Sequence, residues 1–427
     1  MTVQEFYERI FLKYPHVSTD TRTIEKDSIF IALKGENFDG NQYALQALKQ
    51  GAAYAVVEDA SICNDRCVCV ENTLKFLQDL AHYHRMQLNI PVIGITGTNG
   101  KTTTKELVST VLAQKYKVEY TRGNLNNHIG VPMTLLSITK DVEIAVVEMG
   151  ANHPGEIKTL VNIACPTYGL ITNVGKAHLL GFGSFENIIK TKTELYEFIA
   201  SVDGTIFIDE DNENLTNNLR GVKKLETYSF NKQSKYVGKM LDNAIYAAFE
   251  FSHNSHSISI YSSLYGEYNA KNMLAAASVG TYFGVSMEQI KNAITNYVPS
   301  NNRSQTKKTA TNTLILDAYN ANPTSMRASL ETFITMNALN KCVILGEMFE
   351  LGEASQKEHL AILDLLKKSS IQQMFLVGNW PHIDITAKYF STSTELKEYL
   401  QKSPIQNATV LVKGSRGVKL EVVVEVL

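Results

Sequence analysis

The residues best suited to chemistry lie in one short segment, Gly97-Thr98-Asn99-Gly100-Lys101-Thr102-Thr103. An apolar run precedes this segment and a helical pattern follows it, which is typical of a loop that binds phosphates with backbone N–H groups. In such a loop Lys101 would reach the β- and γ-phosphates, and the Thr102 hydroxyl would bind Mg²⁺. The fit to the eight-residue P-loop pattern is imperfect, because its first glycine position falls on Ile95.

Two further segments offer candidate metal ligands at the ends of apolar runs. Glu148 ends the run Ile144–Glu148, and ligands of open α/β sheets bind beside the carboxyl ends of strands. Mg²⁺ beside phosphates takes one or two carboxylates, so Glu148 fits that need. His178 follows another such run, although a lone histidine is more often structural. Lys190 and Lys192 lie two positions apart on a predicted helix and point in different directions, so their types leave open which one enters a site.

The composition limits the classes of protein to which the chain can belong. Its 427 residues predict about three domains, and its 44% hydrophobic and 20% charged residues indicate globular domains. The net charge of −2 argues against a general nucleic-acid binder. No run of about 18 apolar residues occurs, so we expect no membrane span. The five cysteines are sparse and the chain start lacks a secretory pattern, which favours reduced thiols in a cytoplasmic protein.

The elements that position these residues fall into three predicted blocks, 1–86, 87–298 and 299–427, all of the α/β class. In the second block apolar strands alternate with helices, which predicts a parallel sheet covered on both faces. The pattern after Thr227 alternates residue by residue and predicts an antiparallel extension. A polar break at Pro299–Asn302 predicts a linker, and the third block predicts a smaller doubly wound domain.

The phosphate-loop segment, Glu148, His178 and the helix with two lysines together resemble the Mur ligase superfamily of ATP-dependent amide-forming enzymes. Further segments, in order along essentially the whole chain, are similar to the branch that adds D-alanyl-D-alanine to UDP-N-acetylmuramoyl-tripeptide. These segments are Ser18–Arg22, Ala32–Gly40, Gly123–Pro132, Glu148–Ile157, Asp317–Pro323, Leu345–Gly352 and Val412–Arg416.

The resemblance implies a domain for the UDP-sugar-peptide (1–86), a central P-loop-type ATP-binding domain with a mostly parallel sheet (87–298) and a C-terminal Rossmann-like ligase domain (299–427). It implies that Thr102 and Glu148 hold one Mg²⁺, and that His178 and a carbamylated Lys192 hold a second. Lys190 matches a neighbouring position that is not modified. Lys101, His178 and Lys192 are the catalytic residues that the resemblance implies.

The resemblance also implies which residues contact the substrates. Those expected to bind ATP are Gly97, Thr98, Asn99, Gly100, Lys101, Thr102, Thr103, Asn269, Asn272, Arg303 and Asp317. Those expected to bind the UDP-linked end of the acceptor are Ser18, Asp20, Thr21, Arg22, Lys34, Gly35 and Asp39. Asn126 and Asn127 would bind its peptide, and Tyr319, Asn320 and Asn322 would line the amine site.

The implied reaction is ATP-dependent ligation through an acyl phosphate, in the synthesis of peptidoglycan precursors. Joining an amine to an unactivated carboxylate in water is uphill, and phosphorylation makes the carboxylate a good electrophile. Two Mg²⁺ ions and Lys101 would neutralise the charge between carboxylate and γ-phosphate. We expect a cytoplasmic monomer that takes small-molecule substrates, does not bind nucleic acid and does not span a membrane.

Two alternatives stay open at this point. Another member of the superfamily, such as a folylpolyglutamate synthase or a different muramyl ligase, would keep the phosphate loop and the metal ligands but would not be expected to keep the segment Asp317–Pro323. A regulatory nucleotide-binding protein that has lost ligation would predict the loss of Lys101, Glu148, His178 or Lys192, and all four are present.

Overall fold

The computed structural model describes residues 1–242, 245–299 and 303–427. Within these residues the chain forms three main sheets, each with helices packed on it, and one short hairpin. No helix in the described ranges is long and apolar enough to cross a membrane. Most of the predicted linker, residues 300–302, lies outside the described residues.

The first sheet is parallel, with strand order β1-β2-β5-β6, and β3 and β4 form a separate antiparallel hairpin. The strands are β1 (Val17–Ser18), β2 (Ile29–Ile31), β3 (Lys34–Gly35), β4 (Phe38–Asp39), β5 (Tyr54–Val57) and β6 (Cys67–Cys69), and the helices are α1 (Val3–Phe6), α2 (Ala44–Gln50) and α3 (Thr73–Gln87). Every residue of β2 is buried, because α2 covers one face and α1 and α3 cover the other.

The cysteines near β6 differ from the expectation of reduced thiols throughout. Cys63 and Cys69 are joined as a disulfide, with their Cα atoms 5.9 Å apart. The reason is local, because a bridge between Asn64 and Cys67 folds the turn after Cys63 back onto β6. Cys67, Cys165 and Cys342 are free thiols.

The central sheet has the strand order β15-β14-β13-β12-β11-β10-β7-β9-β8 in the described part of the chain. Its strands are β7 (Val92–Thr96), β8 (Val118–Tyr120), β9 (Ile144–Glu148), β10 (Tyr168–Ile171), β11 (Thr205–Asp209), β12 (Lys224–Ser229), β13 (Tyr236–Met240), β14 (Tyr246–His253) and β15 (His256–Tyr265). Its helices are α4 (Lys101–Leu112), α5 (Gly130–Leu136), α6 (Glu156–Ala164), α7 (Leu179–Phe182), α8 (Phe185–Ser201), α9 (Glu213–Thr216), α10 (Tyr268–Tyr282) and α11 (Met287–Thr295). The strands β7 to β13 run parallel, and β14 and β15 add the expected antiparallel extension.

Helices cover both faces of the central sheet, which explains why its inner strands are apolar along their whole length. The helices α4, α10 and α11 pack on one face. The helices α5, α6 and α8 pack on the other face, and α3 joins them, so the first two blocks share one apolar core.

The third sheet has the order β16-β17-β21-β18-β19-β20, parallel except for β16. Its strands are β16 (Gln305–Lys308), β17 (Thr313–Leu316), β18 (Lys341–Gly346), β19 (Gln373–Val377), β20 (Lys388–Phe390) and β21 (Thr409–Lys413), and its helices are α12 (Pro323–Thr335), α13 (Ser355–Lys367), α14 (Ser393–Lys402) and α15 (Glu421–Val424). The helices α12 and α13 cover one face, and α14 and α15 cover the other.

Strand register brings the sequence-predicted segments to common edges. In the central sheet β7 lies between β10 and β9, with Ile95 paired to Glu148 and Thr96 paired to Ile171. The loops after these three strands therefore meet at one carboxyl edge, where ligands of such sheets bind. In the third sheet Leu316 pairs with Val412, so the loops after β17 and β21 also share an edge.

Candidate active site

The two carboxyl edges line one cavity of about 860 Å³. It brings together most of the predicted site residues of the second and third blocks. Those that line it are Thr98, Asn99, Gly100, Lys101, Thr102, Thr103, Asn126, Asn127, Glu148, His178, Asn269, Asn272, Arg303, Asp317, Tyr319, Asn320 and Asn322.

The phosphate loop is a tight turn that needs glycine at two positions. Gly97 and Gly100 have φ angles of 141° and 78°, and a Cβ atom on Gly97 would lie 2.1 Å from the Thr172 hydroxyl oxygen. Asn173, two residues after β10, holds the loop backbone: its carbonyl accepts from Thr98 N at 2.9 Å, and its side-chain Oδ1 accepts from Asn99 N at 3.0 Å. The neighbouring strand therefore fixes the loop before any ligand arrives.

The loop ends in a helix N-terminus that faces the cavity. No side chain caps the first turn of α4, so the N–H groups of Lys101–Thr103 have no partner within the helix. The Lys101 ammonium donates to the carbonyl oxygens of Gly97 and Thr98 at 2.8 and 3.1 Å. Burial lowers the pKa of Lys101, while the Glu148 carboxylate acts to raise it. The arrangement suits phosphate groups, which would replace carbonyl dipoles by full negative charges.

Glu148 is a buried carboxylate with one unused oxygen. The residue is 1% exposed, and its Oε1 accepts from Asn126 Nδ2 at 2.7 Å and from the Thr102 hydroxyl at 3.2 Å. Oε2 has no hydrogen-bond partner among the described residues. A buried oxygen without a partner is costly, and a hard cation would satisfy it.

The oxygen donors here fit Mg²⁺ beside phosphates. The described residues hold no cluster of three or more histidine, cysteine or acidic side chains. A Mg²⁺ ion bound to a nucleotide needs only one or two protein carboxylates, because phosphates and waters fill its other positions. Thr102 and Glu148 meet this requirement. Asn126 donates a hydrogen bond to the Glu148 carboxylate. Asn127 instead stabilises the start of α5, where its Oδ1 accepts from the Gly130 amide at 2.9 Å.

His178 joins the central block to the third block. It has a φ angle of 50°, and its Nδ1 contacts the carboxylate of Glu350, a residue of the third block. Glu350 was not singled out in the sequence, although it lies within the segment Leu345–Gly352. A second contact follows close by, since Leu180 N donates to the Glu350 carbonyl at 3.1 Å. The carboxylate orients the imidazole and leaves Nε2 without a hydrogen bond among the described residues.

The structure separates the two lysines of α8 by burial. Lys192 is 2% exposed, and its ammonium donates to the Ala151 carbonyl, which lies at the cavity wall, at 3.2 Å. Burial, and then the nearby charge of Lys101, lowers the pKa of Lys192 well below its usual range. Lys190 is exposed. Only Lys192 of the two points into the protein.

A network of amides closes the cavity behind the phosphate loop. Asn272 Nδ2 donates to Asn269 Oδ1 at 2.9 Å, and Thr104 donates to the other side of the Asn272 amide at 3.1 Å. Asn269 in turn donates to the Ser304 hydroxyl at 3.1 Å. Tyr268 bonds the same hydroxyl, also at 3.1 Å. These contacts fix the side chains of Asn269 and Asn272, the two asparagines predicted to bind ATP.

The third block supplies a cationic wall. Lys413, which the sequence analysis did not assign, is 1% exposed and pairs with Asp317 at 2.5 Å. The Arg303 guanidinium lies 3.5 Å from the centre of the Tyr319 ring. Asn322 reaches the phosphate loop, because its Nδ2 donates to Asn99 Oδ1 at 2.7 Å.

The seven residues predicted to bind the UDP-linked end lie apart from this cavity. The Asp20 carboxylate accepts from the Arg22 backbone at 2.9 Å and from its guanidinium at 3.0 Å. Asp39 accepts from the Asn41 amide at 3.0 Å. Lys34 and Gly35 are exposed on the hairpin. The seven are Ser18, Asp20, Thr21, Arg22, Lys34, Gly35 and Asp39, and their role in binding stays a prediction.

Three family models match successive parts of the chain. The Mur ligase family catalytic domain matches residues 13–93, the Mur ligase middle domain matches residues 95–280, and the Mur ligase glutamate ligase domain matches residues 302–416. Together they span the three sheets described above.

Relatives and solved structures match over almost the whole length. The UDP-N-acetylmuramoyl-tripeptide–D-alanyl-D-alanine ligase of Bacillus subtilis is 34% identical, covering 96% of this chain and 92% of that protein. A crystal structure of MurF from Acinetobacter baumannii has a TM-score of 0.87 at 30% identity, covering 96% of this chain and 92% of that one. MurF from Thermotoga maritima in complex with ADP has a TM-score of 0.86 at 26% identity, covering 97% of each chain. This chain therefore belongs to the Mur ligase family of ATP-dependent ligases, among the UDP-N-acetylmuramoyl-tripeptide–D-alanyl-D-alanine ligases.

Proposed function

We propose that this chain joins D-alanyl-D-alanine to the carboxylate of UDP-N-acetylmuramoyl-tripeptide, forming UDP-N-acetylmuramoyl-pentapeptide while ATP becomes ADP and phosphate. The observation that carries this proposal is the cavity of about 860 Å³, which holds the phosphate loop on one wall and Tyr319, Asn320 and Asn322 on the other. The hydrogen bond between Asn99 and Asn322 joins these walls. An activated carboxylate and an amine can therefore meet in one cavity.

The reaction needs two displacements. An oxygen of the tripeptide carboxylate attacks the γ-phosphorus of ATP, the bond from that phosphorus to the bridging oxygen breaks, and ADP leaves. The dipeptide nitrogen then attacks the acyl carbon, the carbon–oxygen bond to the phosphoryl group breaks, phosphate leaves, and the nitrogen loses a proton. The first step brings two anions together, so fixed positive charge at the γ-phosphate lowers its barrier. Lys101 and the free N–H groups of α4 supply this charge from the central wall.

The donor set supports two Mg²⁺ sites in this proposal. Thr102 and Glu148 would hold one ion, because Glu148 Oε2 is buried without a partner. His178 and a carbamylated Lys192 would hold the second. Mg²⁺ supplies charge neutralisation on the transferring phosphoryl group.

A carbamate on Lys192 has a clear electrostatic purpose. The unmodified ammonium would repel a metal cation, whereas a carbamate carries a negative charge. Carbamate forms from CO₂ and a neutral amine, and the lowered pKa of Lys192 favours the neutral amine. The exposed Lys190 lacks this environment.

The remaining assignments follow the same plan. Residues 1–86 form the UDP-sugar-peptide domain, 87–298 the ATP-binding domain and 299–427 the C-terminal ligase domain. Asn269, Asn272, Arg303 and Asp317 contact ATP, and Tyr319 lines the amine site with its neighbours. The enzyme works as a cytoplasmic monomer in peptidoglycan precursor synthesis.

The test measures ADP release with defined substrate sets. ADP release should require ATP, UDP-N-acetylmuramoyl-tripeptide and D-alanyl-D-alanine together, and it should stay at the background rate with either acceptor or dipeptide alone. Folate with glutamate is the matched rival pair. Turnover with that pair, and none with the muramoyl substrates, would replace this function by another one of the superfamily.

A further inference from the structure

The segment Val412–Arg416 stands out in the sequence, yet the reaction above leaves its last residue unused. Arg416 begins a short turn, Arg416–Val418, that follows β21 after two residues. This position is at the carboxyl edge of the third sheet, beside the loop that carries Tyr319. The turn therefore lies beside Tyr319, which lines the cavity at the predicted amine site.

Neighbouring loops hold the backbone before Arg416 in place. Ser415 is 3% exposed, and its hydroxyl accepts from the Phe349 amide at 2.9 Å. The Ser415 amide donates to the Glu347 carbonyl at 3.3 Å. The turn is thus tied to the loop after β18, so the Arg416 side chain starts from a fixed point although its guanidinium is exposed.

The guanidinium of Arg416 lies at the hydroxyl end of the Tyr319 ring. Its Nη1 donates to the Tyr319 oxygen at 3.2 Å, and its central carbon is 5.2 Å from the ring centre. Arg303 lies 3.5 Å from the centre of the same ring. Two guanidinium groups, those of Arg303 and Arg416, therefore contact the ring of Tyr319 in the cavity wall.

The cations around Tyr319 differ in whether a negative charge balances them. Lys413 is neutralised by Asp317, and Arg303 is assigned to ATP. Arg416 forms no ion pair with a carboxylate in the described part of the chain, and the hydrogen bond to a neutral phenol uses one of its five N–H groups. Arg416 thus presents, beside the cavity-lining Tyr319, a guanidinium whose charge no described residue balances.

The amine substrate brings a matching charge. A dipeptide reacts at its nitrogen and keeps a carboxylate at the other end, about 7 Å away when extended. A planar guanidinium binds a carboxylate with two parallel hydrogen bonds, a geometry that lysine does not reproduce. We propose that Arg416 binds the terminal carboxylate of the dipeptide and so selects a dipeptide acid as the amine substrate. This inference rests on the proposed function and extends it to a specificity-determining residue.

The test compares D-alanyl-D-alanine with its C-terminal amide, which lacks the charge. The wild-type enzyme should prefer the acid, and Arg416→Gln should raise the KM for the acid by about 10- to 100-fold, the range for hydrogen bonds to a charged group. The preference for the acid should largely disappear in this variant, while the KM for ATP stays within about twofold. Arg416→Lys should keep part of the preference, because it keeps the charge and loses the fork.

Two controls separate binding from a structural role. Lys419→Gln removes another exposed cation of the same turn and should leave the preference intact. Tyr319→Phe keeps the ring and loses the hydroxyl that Arg416 bonds. If Tyr319→Phe abolishes the preference as fully as Arg416→Gln does, the arginine acts only through the tyrosine and the inference is wrong.

Other results would also overturn it. An unchanged ratio of acid to amide in Arg416→Gln, or a rise in the KM for ATP alone, would show that the guanidinium does not bind the dipeptide carboxylate. A wild-type enzyme that releases ADP with a different amine and not with D-alanyl-D-alanine would instead refute the proposed function itself. Melting temperatures of all variants should stay within a few degrees of wild type, since Arg416 is on the surface.

Discussion

Replacing Lys192 by alanine should abolish most ligase activity, whereas replacing Lys190 should not. The two lysines lie on the same helix, but Lys192 is 2% exposed and points to the cavity wall at Ala151, while Lys190 faces solvent. A unit negative charge about 4 Å from a cation contributes about 4 kcal/mol at an effective dielectric constant near 20. At about 1.4 kcal/mol for each factor of ten, that loss predicts a fall of about 10³-fold in kcat.

The assay follows ADP release by each variant under saturating substrates. Lys192→Ala should stay folded, because its ammonium makes one hydrogen bond to protein, and it should still bind ATP through the phosphate loop. Formate or acetate should restore part of its activity by filling the vacated anionic position. Full activity of Lys192→Ala, or a larger loss in Lys190→Ala, would refute the placement of a carbamate on α8.

Four other predictions follow from the same contacts. Lys101→Ala should fold and lose at least about 10³-fold in ligation rate, given the ~3–4 kcal/mol that one charge-stabilising donor contributes; near-normal turnover would remove Lys101 from the phosphate site. Gly97→Ala should abolish ATP binding in a titration, because its Cβ would lie 2.1 Å from the Thr172 hydroxyl; unchanged affinity would show that the loop can shift. Lys176 of the second block and Glu358 of the third block form an ion pair at 2.8 Å, so they should hold the two blocks together. Lys176→Glu should therefore enlarge the radius of gyration in X-ray scattering, and Lys176→Glu with Glu358→Lys should reverse the change; an unchanged radius would contradict this role. His84 is buried, and burial lowers its pKa. The unfolded chain therefore binds more protons than the folded protein below about pH 6.5, and the free energy of unfolding should fall as the pH drops. His84→Gln should flatten this pH dependence in denaturant titrations, and an unchanged pH dependence would contradict the reasoning.

The buried parallel strands were predictable from the sequence because both of their faces are apolar. The strand Ile144–Glu148 has the bounds of the apolar run that predicted it. The strands Val118–Tyr120 and Gln305–Lys308 were missed, since each lies at the edge of its sheet and carries exposed or half-buried polar residues. Apolar periodicity marks burial, and an edge strand has little of it.

The site was predictable where chemistry is local and less so where it depends on distant partners. The phosphate loop could be recognised because its glycines, lysine and threonines are contiguous. Glu350 and Lys413 were not assigned, because their partners His178 and Asp317 lie 172 and 96 positions away in the chain. Residue types alone also left Lys190 and Lys192 equivalent; the family resemblance chose Lys192, and the packing of α8 buries that lysine and not Lys190.

The most direct test of the proposed chemistry traces an oxygen atom. UDP-N-acetylmuramoyl-tripeptide with ¹⁸O at both oxygens of its terminal carboxylate is incubated with ATP, D-alanyl-D-alanine and the enzyme, and the released phosphate is analysed by mass spectrometry. Attack of the carboxylate on the γ-phosphorus predicts one ¹⁸O atom in each phosphate and one pentapeptide for each ADP. Unlabelled phosphate would mean that water attacks ATP, and it would contradict an acyl phosphate intermediate.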